Sequence, residues 1–270
     1  MKSKSLFILL VLAMLLTACA QSQAPAPVAA ESQHASNALD CAPAPADAKP
    51  IDDAKLYVEF NSTDEDLGIH GYLGDDGWTE LCVYNPGGEL MLAIKPQAQL
   101  GSTTLASVFF EGREPSLDEF GFEELKSFPE GRYAVRALSH DGTSVSGEAT
   151  FSRNVPAPPE LVFPAWAEEE GAEDVVMPTD GFSVEWEPVT ETTDGNPVTL
   201  SGYEVIITKV EHDDPHGFSL PVYDVHLGPE KTLLSVPPEF LEQDTLYELE
   251  ILAIEESGNQ TITVSFFMTE

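Results

Sequence analysis

Positive charge is scarce in this sequence. Its 270 residues include 12 Lys and Arg against 47 Asp and Glu, which gives a formal net charge of −35 at pH 7. A surface this acidic repels phosphate backbones, so we expect no nucleic-acid partner. The acidic residues are spread along the whole chain. That spread favours a solubilising surface over the alternative, a surface that binds cations or cationic partners.

The motifs of common catalytic sites are also missing. The sequence contains no G-x-S-x-G elbow, no P-loop, no Rossmann glycine pattern and no H-E-x-x-H pair. Its three cysteines form no C-x-x-C motif and no cluster with histidine. We therefore predict that the protein is not an enzyme and carries no cofactor, with calcium as the one ion to consider.

No apolar run is long enough to span a membrane. The longest covers residues 6–16 and follows Lys2 and Lys4, whereas a spanning helix needs about 20 apolar residues. A charged start, a short apolar middle and small residues at the end are typical of a secretory signal. The sequence therefore predicts export from the cytoplasm.

The residues after that run are Leu16-Thr17-Ala18-Cys19, which resemble the lipobox of bacterial lipoproteins. The resemblance implies that residues 1–18 are a signal peptide and that the thiol of Cys19 is acylated, which would anchor the protein to a membrane. Ala20 stands where an aspartate favours inner-membrane retention in that family. The resemblance therefore implies the outer membrane, with the protein facing the periplasm or the cell surface. The alternative is an ordinary cleavable signal with a chance cysteine.

Residues 19–53 are rich in Ala and Pro and contain almost no large apolar side chain. Such a segment buries too little surface to offset the entropy of ordering, so we predict a disordered spacer. Cys41 lies near its end and Cys82 lies in a strand-like stretch. The two cysteines either form a disulfide, which an oxidising compartment permits, or remain free.

Residues 54–154 have the pattern of short strands separated by turns. Residues 55–61 alternate apolar and polar side chains, which is typical of a half-buried strand. Further strands are predicted at residues 80–84, 90–94, 105–110, 132–138 and 147–152. Residues 74–77 (Gly-Asp-Asp-Gly) predict a turn, and a capping box at Ser116 predicts a short helix within residues 116–128. We expect an immunoglobulin-like β-sandwich.

Asp64, Asp66 and Asp75 are the metal candidates of this first module. Alternate carboxylates offer the hard oxygen ligands that calcium prefers. The stretch departs from an EF-hand loop, because Gly68 stands where the third ligand belongs. The alternative is an acidic, solvated turn, and a calcium-stabilised module is the hypothesis that these residues motivate.

Residues 155–270 follow a proline-rich junction at residues 154–159. Trp186, Tyr203 and Tyr247 recur in order on alternating stretches. This pattern resembles a fibronectin type III domain, in which such residues belong to the core and the last tyrosine forms a corner. The resemblance implies a structural role for all three residues, since a fold alone does not specify a function.

The predicted architecture is all-β: two tandem immunoglobulin-like or fibronectin type III β-sandwiches after a lipoprotein signal and a disordered linker. Because no reaction centre is recognisable, the predicted function is non-catalytic binding of an envelope protein or a glycan by a membrane-anchored lipoprotein. The alternative is a structural or accessory spacer of the periplasm.

Overall fold

The computed structural model describes residues 41–212 and 221–270. Cys19, the predicted signal peptide and most of the predicted linker lie outside the described residues. Within the described ranges, no helix combines the length and the apolar character needed to cross a membrane.

The regular structure consists mainly of β-strands. The first module contains β1 (Lys49–Pro50), β2 (Asp53–Asn61), β3 (Asp66–Tyr84), β4 (Leu90–Ile94), β5 (Leu105–Glu111), β6 (Gly131–Ser139) and β7 (Ser144–Phe151), with helices α1 (Ala98–Thr103) and α2 (Phe122–Leu125). The second contains β8 (Leu161–Phe163), β9 (Val176–Met177), β10 (Phe182–Trp186), β11 (Leu200–Lys209), β12 (Val222–Leu227), β13 (Leu233–Val236), β14 (Leu246–Glu255) and β15 (Gln260–Thr269), with a 3-10 turn at Glu169–Asp174.

The second module is a sandwich of seven strands, to which the two-residue β9 is added by parallel pairing with β15. One sheet has the order β13-β10-β8, and the other runs β15-β14-β11-β12. Their strands pair antiparallel within each sheet. Trp186, Tyr203 and Tyr247 are buried in the core between the sheets, because alternate residues of each strand face inward. This is the sandwich architecture that fibronectin type III domains share, and the all-β prediction is confirmed.

The first module is organised around β3, which is 19 residues long. Its first half pairs with β2 and β5, and its second half pairs with β4 and β6. Residues 74–77, predicted as a turn, lie inside this strand. There Gly77 has φ of 118° and the register with β5 shifts. Glycine and aspartate here make a bulge that bends the strand, so the predicted turn is wrong.

The short helix predicted within residues 116–128 is present, but its cap is not the predicted one. Helix α2 covers only Phe122–Leu125, and the Glu124 carboxylate accepts a hydrogen bond from the Gly121 backbone N–H at 3.0 Å. Ser116, the predicted cap, instead forms a bridge with Asp66. The capping interaction therefore lies five residues further along the chain than the sequence predicted.

Residues 41–53 belong to the folded part, although the sequence assigned them to the linker. Cys41 is buried and forms a disulfide with Cys82, with an S–S distance of 2.07 Å. Strand β1 then pairs in parallel with β7. A covalent bond and strand pairing order this Ala/Pro-rich segment. The prediction of disorder is therefore wrong for residues 41–53, because it considered only their lack of large apolar side chains.

The two modules share one sheet. β2 pairs in parallel with β15, which joins the modules in a twelve-stranded sheet. The proline-rich junction runs beside β15, where Thr261 donates to the Pro156 carbonyl at 2.6 Å and Thr263 donates to the Pro159 carbonyl at 2.8 Å. The predicted boundary at residues 154–155 therefore separates two sets of strands that are hydrogen-bonded to each other.

Candidate functional site

A cleft of about 560 Å³ lies where the modules meet, and we call it the intermodule cleft. Because Leu56 and Val58 face the core, the alternation of β2 turns Tyr57 outward to the cleft. The first module also supplies Lys55, Tyr72 and Phe109, and the second supplies Ser201, Glu204, His226, Ile254, Glu255, Glu256, Ser257, Gly258 and Gln260. The walls therefore combine aromatic rings with carboxylates.

A buried histidine lies behind the first-module wall. His70 is 3% exposed, and its Nε2 lies 3.1 Å from a carboxylate oxygen of Glu114. Its Nδ1 lies 3.8 Å from a carboxylate oxygen of Glu59. The ring of His70 also contacts the rings of Tyr57 and Phe109, with centroid separations of 5.5 and 5.9 Å. One imidazole is thus held between two carboxylates and two cleft-lining rings.

A second group of one histidine and two carboxylates lies on the second-module side of the cleft. His226 Nε2 lies 3.4 Å from a carboxylate oxygen of Glu204, and Asp224 completes the group. Asp224 and His226 are exposed, whereas Glu204 is partly buried. Among residues 41–212 and 221–270, these two groups are the sets of three His and carboxylate residues whose ligand atoms lie within 4.8 Å of one another.

The electrostatics of the two walls are coupled. Burial, followed by the charges of Glu59 and Glu204, raises the pKa of Tyr57 to about 12. Burial and the charge of Glu59 raise the pKa of Glu114, while His70 lowers it. Burial raises the pKa of Glu204, with His226 opposing and Asp224 adding to the rise. In all three groups, burial and the neighbouring carboxylates disfavour further negative charge.

One further carboxylate lies on the second-module side. Burial raises the pKa of Glu250 to about 7, with further contributions from the neighbouring Glu248 and from Glu59 and Glu204. Glu250 therefore belongs to the same electrostatic group, although it does not line the cleft. The carboxyl group of Glu250 therefore gains or loses its proton near neutral pH.

Trp186, Tyr203 and Tyr247, which were predicted to be structural, lie together in the core of the second module. The rings of Trp186 and Tyr203 are 5.3 Å apart, and the Tyr203 hydroxyl accepts a hydrogen bond from the Val189 N–H at 2.8 Å. The Tyr247 hydroxyl accepts from the Glu242 N–H at 2.9 Å and donates to the Phe240 carbonyl at 3.4 Å. This local return to the backbone is a tyrosine corner.

The structure does not bring Asp64, Asp66 and Asp75 together. Asp64 accepts a hydrogen bond from the Asn61 amide at 3.0 Å, and Asp75 lies 3.4 Å from the Lys49 ammonium. Asp66 begins β3, and the nine-residue separation from Asp75 along a strand corresponds to a distance on the order of 30 Å. The predicted calcium set is therefore wrong, because the expected turn is part of a strand.

Sequence reasoning missed the carboxylates that the fold does assemble. Alternation along β2 places Glu59 on the polar face, and that signal was available. Nothing local indicates that Glu59 lies near Glu204, because their proximity depends on the pairing of β2 with β15. Glu114 lies outside any strand, where no periodicity predicts its direction.

No protein-family model matches the chain, and no curated protein matches its sequence. Among solved structures, the chicken CNTN1 FN1–FN3 domains are similar at 12% identity and a TM-score of 0.30, over 82% of this chain and 65% of that one. The fn3 domain of the human collagen alpha-1(XX) chain is similar at 16% identity and a TM-score of 0.28, over 44% and 85% of the two chains. The third fibronectin III domain of human KIAA0343 is similar at 17% identity and a TM-score of 0.30, over 43% and 84%. At TM-scores of 0.28–0.30 these similarities carry no argument about the protein.

Proposed function

We propose that this protein is a lipid-anchored lipoprotein of the outer membrane whose two modules bind a partner protein without catalysis. The lipobox-like Leu16-Thr17-Ala18-Cys19 supports the anchor. The intermodule cleft supports the binding role, and it is the single observation that carries the proposal. Its volume falls in the range typical of ligand sites, about 300–1,000 Å³.

The chemistry of the cleft favours a basic segment of the partner. Tyr57, Tyr72 and Phe109 present aromatic rings, and Glu204 presents a carboxylate. A Lys or Arg side chain that enters such a site gains from cation–π contact as well as from ion pairing. The net charge of −35 adds long-range attraction for a basic surface. We therefore assign the cleft to lysine- or arginine-containing segments of an envelope protein.

Site-specific photo-cross-linking in intact cells tests the binding role. A photoreactive residue at Tyr72, on the cleft wall, is compared with one at Leu233, which is 53% exposed on β13 in the opposite sheet. We expect a discrete cross-linked partner from the cleft position, and its loss on adding the charge-reversing substitution Glu204→Lys. Equal cross-links from both positions, or none from either, would contradict a binding role for the cleft.

The anchor has its own test. Cys19→Ala removes the thiol that would be acylated, so the variant should be recovered without detergent while the wild type stays with the membrane fraction. Retention of the variant in the membrane fraction would contradict the anchor. Protease treatment of intact cells then distinguishes a surface position from a periplasmic one.

A spacer role is the second candidate, and the bonded junction between the modules favours it. Thr261 and Thr263 fix the proline-rich segment against β15, which suits a rigid strut. A spacer would tolerate Glu204→Lys without any loss of phenotype, whereas a binding module would not. Comparison of that variant with a deletion strain separates the two roles.

A further inference from the structure

His70 occupies an unusual position for an imidazole in an acidic protein. It is 3% exposed and lies on the polar face of β3, away from the core of the first module. Nε2 faces Glu114 at 3.1 Å and Nδ1 faces Glu59 at 3.8 Å. A protonated imidazole would form an ion pair with the neighbouring carboxylates. A neutral imidazole directs the lone pair of one ring nitrogen towards a carboxylate, and histidine binds metals in this neutral form.

Gly68 leaves room for the contact between the His70 ring and the Glu114 carboxylate. Gly68 precedes His70 on the same face of β3, and a Cβ added there would lie 2.8 Å from Glu114 Cγ and 2.9 Å from His70 Nε2. Any other residue at this position would therefore displace the two side chains. The glycine keeps the space in which Nε2 and the Glu114 carboxylate meet.

The second carboxylate of the group, that of Glu59, is also positioned. The Gln260 side-chain amide, from the second module, donates a hydrogen bond to Glu59, and β2 pairs with β15 at that same residue pair. Hydrogen bonds from outer residues are what orient ligands in metal sites. Glu59 is therefore held by the module junction and not by the first module alone.

We propose that Glu59, Glu114 and one ring nitrogen of His70 bind one divalent transition-metal ion of the zinc class. Their ligand atoms lie within 4.8 Å of one another. The 3.1 Å between His70 Nε2 and the Glu114 oxygen is close to the separation of about 3.3 Å between two ligands that each lie about 2.0 Å from a tetrahedral ion. Imidazole with carboxylates suits zinc and its neighbours, whereas calcium prefers oxygen ligands alone. This proposal does not rest on the function proposed above.

The Glu204–Asp224–His226 group offers a matched control. It has the same class of donors, but His226 and Asp224 are exposed and the side chain of His226 is 71% accessible to solvent. Exposed ligand side chains lose more conformational freedom when an ion binds. Their electrostatic attraction for the ion is also weaker, because water screens it. The buried group is therefore the one to which we assign the ion.

Calorimetric titration of the purified, untagged full-length protein with zinc chloride tests the assignment, with calcium chloride as the comparison. We expect one zinc ion per chain, no comparable calcium binding, and zinc affinity reduced at least about tenfold in Glu114→Gln. His226→Gln should bind zinc as the wild type does. Glu59→Gln provides a second variant, and circular dichroism establishes that both variants fold.

Three results would overturn the proposal. The first is no zinc binding by the wild type at millimolar concentration. The second is a Glu114→Gln variant, folded as the wild type, with unchanged zinc affinity. The third is loss of binding in His226→Gln instead. Any of them would leave His70 as the centre of an ion pair with Glu59 and Glu114.

Discussion

Asn259 of the second module accepts a hydrogen bond from the backbone N–H of Val58 in the first, at 2.8 Å. Its side chain is fully buried, and its amide nitrogen donates to the carbonyls of Ser152 and Asn154 at 3.1 and 3.4 Å. One residue thus satisfies backbone groups of β2, of the residue that follows β7, and of the junction. This contact ties the two modules together beside Gly258 and Gln260, which line the intermodule cleft.

Replacement of Asn259 by Ala should therefore destabilise the whole described body. The change leaves a buried N–H and two buried carbonyls without this partner, and we expect a loss of about 3 kcal/mol in the free energy of unfolding. Urea denaturation monitored by tryptophan fluorescence measures it. Asn196→Ala, at an exposed loop position, is the control and should change stability by less than about 0.5 kcal/mol. Equal effects of the two variants would contradict the role of Asn259.

Loss of the Cys41–Cys82 bond should free the segment before β2. The bond closes a loop with a sequence separation of 41 residues, and in the chain-entropy model such a loop contributes about 4 kcal/mol. The double variant Cys41→Ser, Cys82→Ala should unfold at correspondingly lower denaturant concentration. Reductant should lower the stability of the wild type and leave that of the double variant unchanged. A wild type insensitive to reductant under denaturing titration would contradict the contribution of this bond.

The core of the second module should depend on Trp186. The side chain is 1% exposed, so Trp186→Ala leaves a large cavity and should cost about 3–5 kcal/mol. Trp166 is 49% exposed, although its indole N–H donates to the Val264 carbonyl, and Trp166→Ala should cost about 1 kcal/mol. Thermal unfolding of both variants checks the difference. A similar small loss for both would contradict the burial of Trp186.

Stability should depend on pH through Glu250. Burial, followed by Glu248, raises its pKa from 4.5 to about 7 in the folded protein. Between these values the folded state keeps a proton that the unfolded state has released, so the contribution of this group to the free energy of unfolding falls as pH rises from about 4.5 to 7. Glu250→Gln removes that loss. The variant should match the wild type near pH 4 and exceed its stability by about 3 kcal/mol at pH 8.

Denaturation of both proteins across this pH range measures the effect. Glu256→Gln, at an exposed position, is the control variant. A stability difference between Glu250→Gln and the wild type that stays constant from pH 4 to pH 8 would contradict the raised pKa.

Local patterns predicted the strands where one face meets a core. β4 has the predicted bounds at residues 90–94, and the alternation around Trp186 and Tyr247 indicated the second sandwich. The bend in β3 was missed because glycine and aspartate favour turns and bulges alike. The pairing of Glu59 with Gln260 was missed because it joins residues far apart in sequence. The candidate site depends on that pairing, so the alternation within single strands could not predict it.

A binding role for the intermodule cleft requires that the two modules form one rigid body. Spin labels at Arg132→Cys and Lys231→Cys, both exposed positions in different modules, report the distance between modules by double electron–electron resonance when Cys19→Ala removes the remaining free thiol. We expect a single narrow distance distribution, and a broader one when Asn259→Ala is added. A broad distribution in the protein that retains Asn259 would contradict the account, because the intermodule cleft would then have no fixed shape.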